Sequence, residues 1–139
     1  MNMEFGGINY LAVLTAGIAG FVTGALWYTL LGTAWMKAAN LSAEETKPTP
    51  ALLINALICQ LIMAWVLAGL IGHLGEGQLT LANSIISALF VWFGFVLTTQ
   101  LVNHRFQRRP WALSFIDCGH WLVVLVIQGA VIGLIGISS

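Results

Sequence analysis

The chain has 139 residues, of which 59% are hydrophobic and 7% are charged, and its formal net charge is zero. A soluble domain carries about 25% charged residues, so this composition excludes an ordinary soluble globular domain, and it equally excludes a disordered chain. The balanced charge gives no electrostatic basis for binding nucleic acid, and we expect a lipid bilayer to surround most of the chain.

Four apolar stretches are long enough to cross a bilayer, because about 20 apolar residues in a helix span its hydrocarbon core. We expect spans over about residues 8–31, 51–72, 81–103 and 115–137. The predicted fold is therefore all-α: an integral membrane four-helix bundle that forms a single transmembrane domain over residues 1–139. The short connections predict that consecutive helices are antiparallel neighbours.

The breaks between the spans carry residues that favour helix ends. Thr49 before Pro50 predicts an N-cap followed by the first helical residue of the second span, and Thr80 is expected to cap the third. Ser42 and Glu45 have the spacing of a capping box, which predicts a short interfacial helical turn between the first two spans. The remaining breaks are predicted at Gly72, Gly75, Gly77 and Pro110.

The basic residues predict the orientation of the chain in the membrane. All five Lys and Arg residues fall in the loops 32–50 and 104–114, whereas the loop between them and both termini hold none. Because basic loops remain in the cytoplasm, we expect these two loops to be cytoplasmic and both termini to be extracytoplasmic. The aromatic residues expected at the cytoplasmic membrane surface are Trp27, Tyr28, Trp35 and Trp111.

Small residues recur at every fourth position of the first span, and they also mark the fourth span. Such ladders let helix backbones approach closely in lipid. Two interpretations remain open: contact between copies of the chain in a homo-oligomer, and packing inside one bundle. The expected helix-packing residues are Ala16, Gly20, Gly24, Gly129 and Gly133.

Polar side chains within the spans concentrate in the half of the membrane next to the basic loops. Polar groups in hydrocarbon are costly and need partners, so we expect either a buried hydrogen-bonded cluster or a small water-filled pocket there. The candidates for lining it are Asp117, His120, Asn103, Gln100, Asn55 and Gln60, with Trp27 and Tyr28 at its mouth.

Asp117 and His120 are three residues apart and therefore share one face of the fourth helix. A carboxylate beside an imidazole can relay protons or hold a ligand. Structural interpretations of Asp117 are equally concrete. With Ser114 it has capping-box spacing, and it could also pair with Arg105 or Arg108 across the short loop.

The sequence predicts no metal site, no cofactor and no enzymatic activity. His73, His104 and His120 lie at different depths, which does not suit a haem held by two imidazoles. Cys59 and Cys118 lack the spacing of a metal-binding motif. The sequence also lacks a nucleophile motif, a phosphate-binding loop and an HExxH motif.

Short aromatic and polar stretches follow one another in a specific order along nearly the whole chain. They are Asn-Tyr-Leu-Ala-Val at 9–13, Gly-Ala-Leu-Trp-Tyr at 24–28, Trp-Met at 35–36, Gly-Phe at 94–95, Thr-Thr at 98–99, Asn103, Arg-Pro at 109–110 and Asp-Cys-Gly-His-Trp-Leu at 117–122. In this order the chain resembles a bacterial family of small four-span membrane proteins, Domain of Unknown Function 1761. The resemblance implies the four-span topology and leaves the function open. The chain departs from the family pattern after Tyr28, at Thr33 and at His120.

These observations lead to two main hypotheses of function. In the first, an oligomeric inner-membrane protein uses the polar pocket to bind or pass a small solute or a proton. In the second, the chain is an accessory or scaffold subunit of a larger membrane complex, and its polar cluster only holds helices together. A lipid-interacting enzyme is a third interpretation that no motif supports.

Overall fold

The helices of the chain follow from its apolar stretches and their polar ends. The structure, a computed structural model, describes residues 8–75 and 77–136. In chain order the elements are α1 (Tyr10–Leu30), α2 (Gly32–Ala39), α3 (Pro50–Gly72), α4 (Leu81–Val91), a π-helical segment (Trp92–Leu97), α5 (Thr98–Phe106) and α6 (Trp111–Ile135).

Four helical stretches among the described residues are long and apolar enough to cross a membrane. They are α1, α3, α6 and the continuous stretch Leu81–Phe106, which α4, the π-helical segment and α5 form together and which we call the third span. The predicted all-α bundle with four membrane-spanning helices is confirmed. The expected end of the fourth span at residue 137 lies outside the described residues, and α6 ends at Ile135.

Three predicted helix caps are confirmed. The Thr49 hydroxyl accepts a hydrogen bond from the Leu52 amide at the start of α3 (3.3 Å), and the Thr80 hydroxyl accepts one from the Asn83 amide at the start of α4 (3.1 Å). Ser42 and Glu45 exchange two bonds, from the Ser42 amide to Glu45 Oε2 (2.7 Å) and from the Glu45 amide to Ser42 Oγ (3.2 Å). The bond from the Ser42 amide is the largest cause that lowers the pKa of the exposed Glu45 carboxyl.

Two elements differ from the prediction. The loop 32–50 contains the eight-residue helix α2, which ends at Asn40 in the left-handed conformation (φ 57°) that asparagine tolerates. Helix α6 begins at Trp111 because the extended Pro110 forms its N-cap, about one turn earlier than expected. Ser114 and Asp117 therefore lie inside the helix, and their interpretation as a capping box is wrong.

Helix α6 occupies the centre of the bundle. It packs along α1 on one side and along α4 on another, while α3 packs mainly against α1. Helices α3 and α4 touch only sparsely although a short loop joins them, so consecutive order does not determine every close contact. As a consequence the third span is largely uncovered by the rest of the chain, and the core lies between α1, α3, α6 and the first half of the third span. Its fully buried large residues include Leu67, Ile71, Leu125 and Ile132.

Candidate functional site: the polar cluster around Asp117

Asp117, in the second turn of α6, receives partners from two other helices. The Tyr28 hydroxyl at the end of α1 donates a 2.7 Å hydrogen bond to Asp117 Oδ1. His104 of α5 places Nε2 at 3.6 Å from Asp117 Oδ2, and the two side chains are only 13% and 19% exposed. The suggested pairing of Asp117 with Arg105 or Arg108 is replaced by this contact with His104.

Ser114 extends the cluster towards the basic turn between α5 and α6. Its hydroxyl lies 2.8 Å from His104 Nδ1 and accepts a 2.8 Å hydrogen bond from Arg105 Nη2. A chain of polar contacts thus runs from Arg105 through Ser114 and His104 to Asp117 and Tyr28. Ser114 and His104 were not predicted as site residues, although Ser114 precedes Asp117 by three residues and so shares its helix face.

His120 lies almost one turn deeper on the same side of α6 and is buried (5% exposed). Its ring contacts the rings of Tyr28 (4.8 Å between centroids) and Trp121 (4.5 Å), and its Nε2 faces Gly24 of α1. Its Nδ1 is buried and has no hydrogen-bond partner among the described residues. Asp117 and His120 therefore share Tyr28 as a common neighbour, as their predicted common face requires.

Two tryptophans of neighbouring helices donate hydrogen bonds to backbone carbonyls of α6. Trp27 Nε1 donates to the Ile116 carbonyl (3.1 Å), and its ring lies against Gly119. Trp92 Nε1, in the π-helical segment, donates to the Cys118 carbonyl (2.8 Å). Trp27 is thus a bridge between α1 and α6 rather than a residue at a pocket mouth.

Gln60 belongs to a separate contact in the middle of the bundle. Gln128 Nε2 donates to Gln60 Oε1 (2.8 Å) and to the Gln60 carbonyl (3.3 Å), and both side chains are buried. Gly20 of α1 makes room for this pair, because a Cβ there would come within 2.5 Å of Gln60 Oε1. Gln128 is eight residues from His120, or about 12 Å along α6, so the pair is distinct from the Asp117 cluster.

The other predicted pocket residues divide into two groups. Gln100 is half-buried and its Oε1 accepts a weak 3.6 Å contact from Cys118 Sγ, so it borders the cluster. Asn55 on α3 and Asn103 on α5 are exposed on the outside of the chain. The sequence predicts both at the depth of the pocket, but they lie on helix faces that the rest of the described chain does not cover.

The small-residue ladders make contacts within the chain. Ala16 and Gly20 are buried, and Gly24 lies against His120. Gly129 and Gly133 face α4, where added Cβ atoms would come within 2.8 Å of the Ser84 carbonyl oxygen and 2.9 Å of the Leu81 Cα. These contacts favour packing inside the bundle over the alternative of a homo-oligomer interface formed by the ladders.

A groove of about 510 Å³ lies at the opposite end of the bundle from Asp117, between the end of α3, the loop that follows it, and α4. Its wall is mostly apolar, with Leu70, Ile86 and Phe90 among its residues. In the part of the chain that the structure describes, no three His, Cys, Asp or Glu side chains are grouped so that they could hold a metal ion.

Comparison with models of known protein families gives a match. A family model described as a protein of unknown function (DUF1761) matches residues 11–133, a range that reaches all four spans and includes the whole Asp117 cluster. No curated protein and no solved structure matches the chain.

Proposed function

We propose a function for this chain, which belongs to the DUF1761 family of proteins of unknown function. It is a small multi-pass protein of the bacterial inner membrane that takes up a proton, or a small solute that carries one, at Asp117 from the cytoplasmic side. We interpret the chain as a single transmembrane domain without catalytic activity of its own, which acts as an oligomer.

One observation carries the proposal: a carboxylate in a membrane-spanning helix lies between a tyrosine hydroxyl and an imidazole. Ionisable side chains are expensive in hydrocarbon, and they mark ion and proton pathways in many membrane proteins. Asp117, His104 and Tyr28 can each hold or release a proton. Asp117 contacts both of the others, so the three groups form a continuous row from His104 to Tyr28. Ser114 supports this arrangement because it fixes the orientation of the His104 ring through Nδ1.

The proposed orientation rests on the basic residues and on one contact. Arg109 Nη1 donates a 3.1 Å hydrogen bond to the Ala39 carbonyl at the end of α2, so the two basic loops lie at the same end of the bundle. Basic loops favour the cytoplasm. Asp117 and His104 lie near that end, which supports proton entry from the cytoplasm.

Proton flux in reconstituted vesicles tests the proposal. The full chain is placed in liposomes that enclose a pH-sensitive dye, and the rate of internal pH change is measured after a pH jump outside. We expect faster change than in empty liposomes, and we expect Asp117→Asn to return the rate to that of empty liposomes. Glu44→Gln is the matched control, because among the described residues the Glu44 carboxylate pairs with Lys47 alone, on the exposed loop (3.0 Å).

Equal flux for Asp117→Asn and the unmodified chain would contradict the proposal. A folded, unmodified protein with no flux above empty liposomes would contradict proton passage. If the Asp117→Asn change then lowered only thermal stability, the cluster would be structural.

The uncovered third span favours a second candidate function, that of an accessory subunit in a larger membrane complex. Phe90, Phe93 and Phe95 of this span are 66–75% exposed, and Gly94 among them has open space around its Cβ position. Such a surface can receive another helix. Gentle extraction followed by native mass spectrometry distinguishes the two candidate functions. An unrelated protein subunit that is present in every preparation supports the accessory role. Complexes that contain copies of this chain alone contradict it.

A further inference from the structure

The last turn of α5 and the turn that follows it hold three arginines, Arg105, Arg108 and Arg109, and one of them has an unusual backbone conformation. Arg108 has a positive φ of 60°. The Arg109 amide donates to the His104 carbonyl (2.8 Å) and the Arg108 amide donates to the Arg105 carbonyl (3.1 Å). This pair of bonds is a Schellman motif, in which glycine normally occupies the left-handed position because it has no Cβ.

Arginine at that position is strained relative to glycine, since a left-handed residue with a side chain costs about 1–2 kcal/mol. Strained residues persist where the surrounding structure or a ligand requires them. The Schellman turn itself does not need a guanidinium. The strain at Arg108 therefore points to a use for its side chain.

The guanidinium of Arg105 is fixed beside this turn. Its Nη2 donates to the Arg109 carbonyl (3.0 Å), the Pro110 carbonyl (3.2 Å) and Ser114 Oγ, and its Cζ lies 3.9 Å from the centre of the Trp111 ring. Its Nε and Nη1 are buried and have no hydrogen-bond partner among the described residues. The group is thus held in place beside the turn, and the exposed arginines of this segment are Arg108 and Arg109.

The carboxylates of the described residues do not neutralise this turn. Glu44 pairs with Lys47, Glu45 accepts from Ser42, and Asp117 contacts Tyr28 and His104. Arg108 and Arg109 are exposed, and the neighbouring Phe106 (83%) and Trp111 (58%) are exposed as well. Aromatic side chains at the end of a spanning helix lie at the level of the lipid headgroups.

We propose that this arginine turn, residues 105–109, binds the phosphate of an anionic phospholipid in the leaflet next to the basic loops. Guanidinium groups match phosphate oxygens in geometry and charge. Basic clusters at this depth attract anionic headgroups. The proposal does not depend on proton uptake at Asp117.

Lipid retention by the full chain tests this binding site. The protein is purified in mild detergent with either phosphatidylglycerol or zwitterionic phosphatidylethanolamine, and bound lipid is counted by native mass spectrometry. We expect phosphatidylglycerol to be preferred. Arg108→Gly should lower its retention about fivefold, the loss expected for one basic side chain at an anionic membrane surface, while the turn keeps its conformation.

The chain offers a matched control. Asn40 has the same left-handed conformation (φ 57°) and the same pair of closing bonds at the end of α2, so Asn40→Gly makes the same backbone change without removing a charge. We expect this variant to retain phosphatidylglycerol as the unmodified chain does. Thermal unfolding of both variants should show that neither has lost its fold.

Three results of the lipid-retention measurement would overturn the proposal. They are equal retention of the two lipids, unchanged phosphatidylglycerol retention in Arg108→Gly, and an equal loss of retention in Asn40→Gly. Inorganic phosphate alone is tested as a competitor. If it displaced phosphatidylglycerol at equal concentration, the site would be one for a free anion and not for a lipid.

Discussion

Gly24 of α1 lies directly against the imidazole of His120 on α6, so close that a Cβ at position 24 would come within 2.8 Å of Nε2. The close approach is between a glycine and a polar ring, not between two helix backbones. The glycine ladder of α1 thus creates space for buried polar side chains, and Gly20 does the same for the Gln60–Gln128 pair.

Gly24→Ala should destabilise the protein by about 1–3 kcal/mol, the usual cost of an extra methyl group in a packed interior. The measurement is thermal or denaturant unfolding in detergent. Gly32→Ala is the control, because no atom lies within 4 Å of a Cβ at that position. Equal stability of the two variants would show that His120 can move away without cost.

Gln60 and Gln128 should stabilise the protein as a pair. The stability lost when both are replaced should therefore be smaller than the sum of the losses in the two single variants. A double-mutant cycle with Gln60→Leu and Gln128→Leu is expected to give a coupling energy of about 0.6–1.7 kcal/mol, the range for hydrogen bonds between membrane helices. Unfolding free energies of the four proteins provide the measurement. Asn55→Leu, a change at an exposed amide of α3, should have little effect. A coupling energy near zero would contradict the 2.8 Å contact.

Ser114→Ala should destabilise the protein by about 1–3 kcal/mol, because it leaves the part-buried Nδ1 of His104 without its hydrogen-bond partner, whereas Arg105 Nη2 keeps two backbone acceptors. Unfolding of the purified protein checks the stability. The nitrogen NMR signals of the His104 ring should shift as well, since Ser114 fixes its orientation. Ser87→Ala in the groove at the other end of the bundle is the control, and a similar small effect of both changes would argue against the bridging role.

The orientation makes a prediction in living cells. A reporter enzyme that is active only outside the cytoplasm should be active when it is fused after Ser139, and inactive when it is inserted after Ala43 in the loop 32–50. The reverse pattern would overturn the proposed cytoplasmic position of the basic loops and, with it, proton entry from the cytoplasm.

The Ser42–Glu45 capping box should open in acid. Its hydrogen bonds to the carboxylate lower the pKa of Glu45 below the value in the unfolded chain. The turn is therefore fully stabilised above that unfolded pKa and loses this contribution as the pH falls through the lower, folded pKa. The protection of the Ser42 amide against hydrogen exchange, relative to an unstructured amide at the same pH, should fall in that acidic range. In Glu45→Gln the exchange should show no such additional pH dependence, and an identical profile in both proteins would refute the contact.

Local signals allowed the sequence to predict the spans and their caps. Each cap depends on residues within four positions of one another, so it can be predicted without knowledge of the tertiary structure. This holds for Thr49 and Pro50, for Thr80, and for Ser42 and Glu45. The common helix face of Asp117 and His120 follows from their spacing of three residues, and their shared contact with Tyr28 agrees with it. The π-helical segment and α2 escaped prediction because neither has a distinctive pattern.

The partners of the site residues could not be predicted in the same way. Tyr28 and Asp117 are 89 positions apart in the chain, and their contact requires that α6 packs beside α1. The same packing order turns Asn55 and Asn103 outward, although their depth alone placed them in the predicted pocket. Which face of a helix is buried depends on its neighbours, and in lipid an apolar face does not identify the inside.

The central position of α6 has a consequence for how the protein is made. The hydrogen bonds described above that join one span to another all end on α6, at its Ile116 and Cys118 carbonyls and at the side chains of Ser114, Asp117, Cys118 and Gln128. A ribosome synthesises this helix after the other three spans. Those spans therefore enter the bilayer before Tyr28, Gln60 and His104 can form their hydrogen bonds to α6. The bonds between the spans form only after α6 has been inserted.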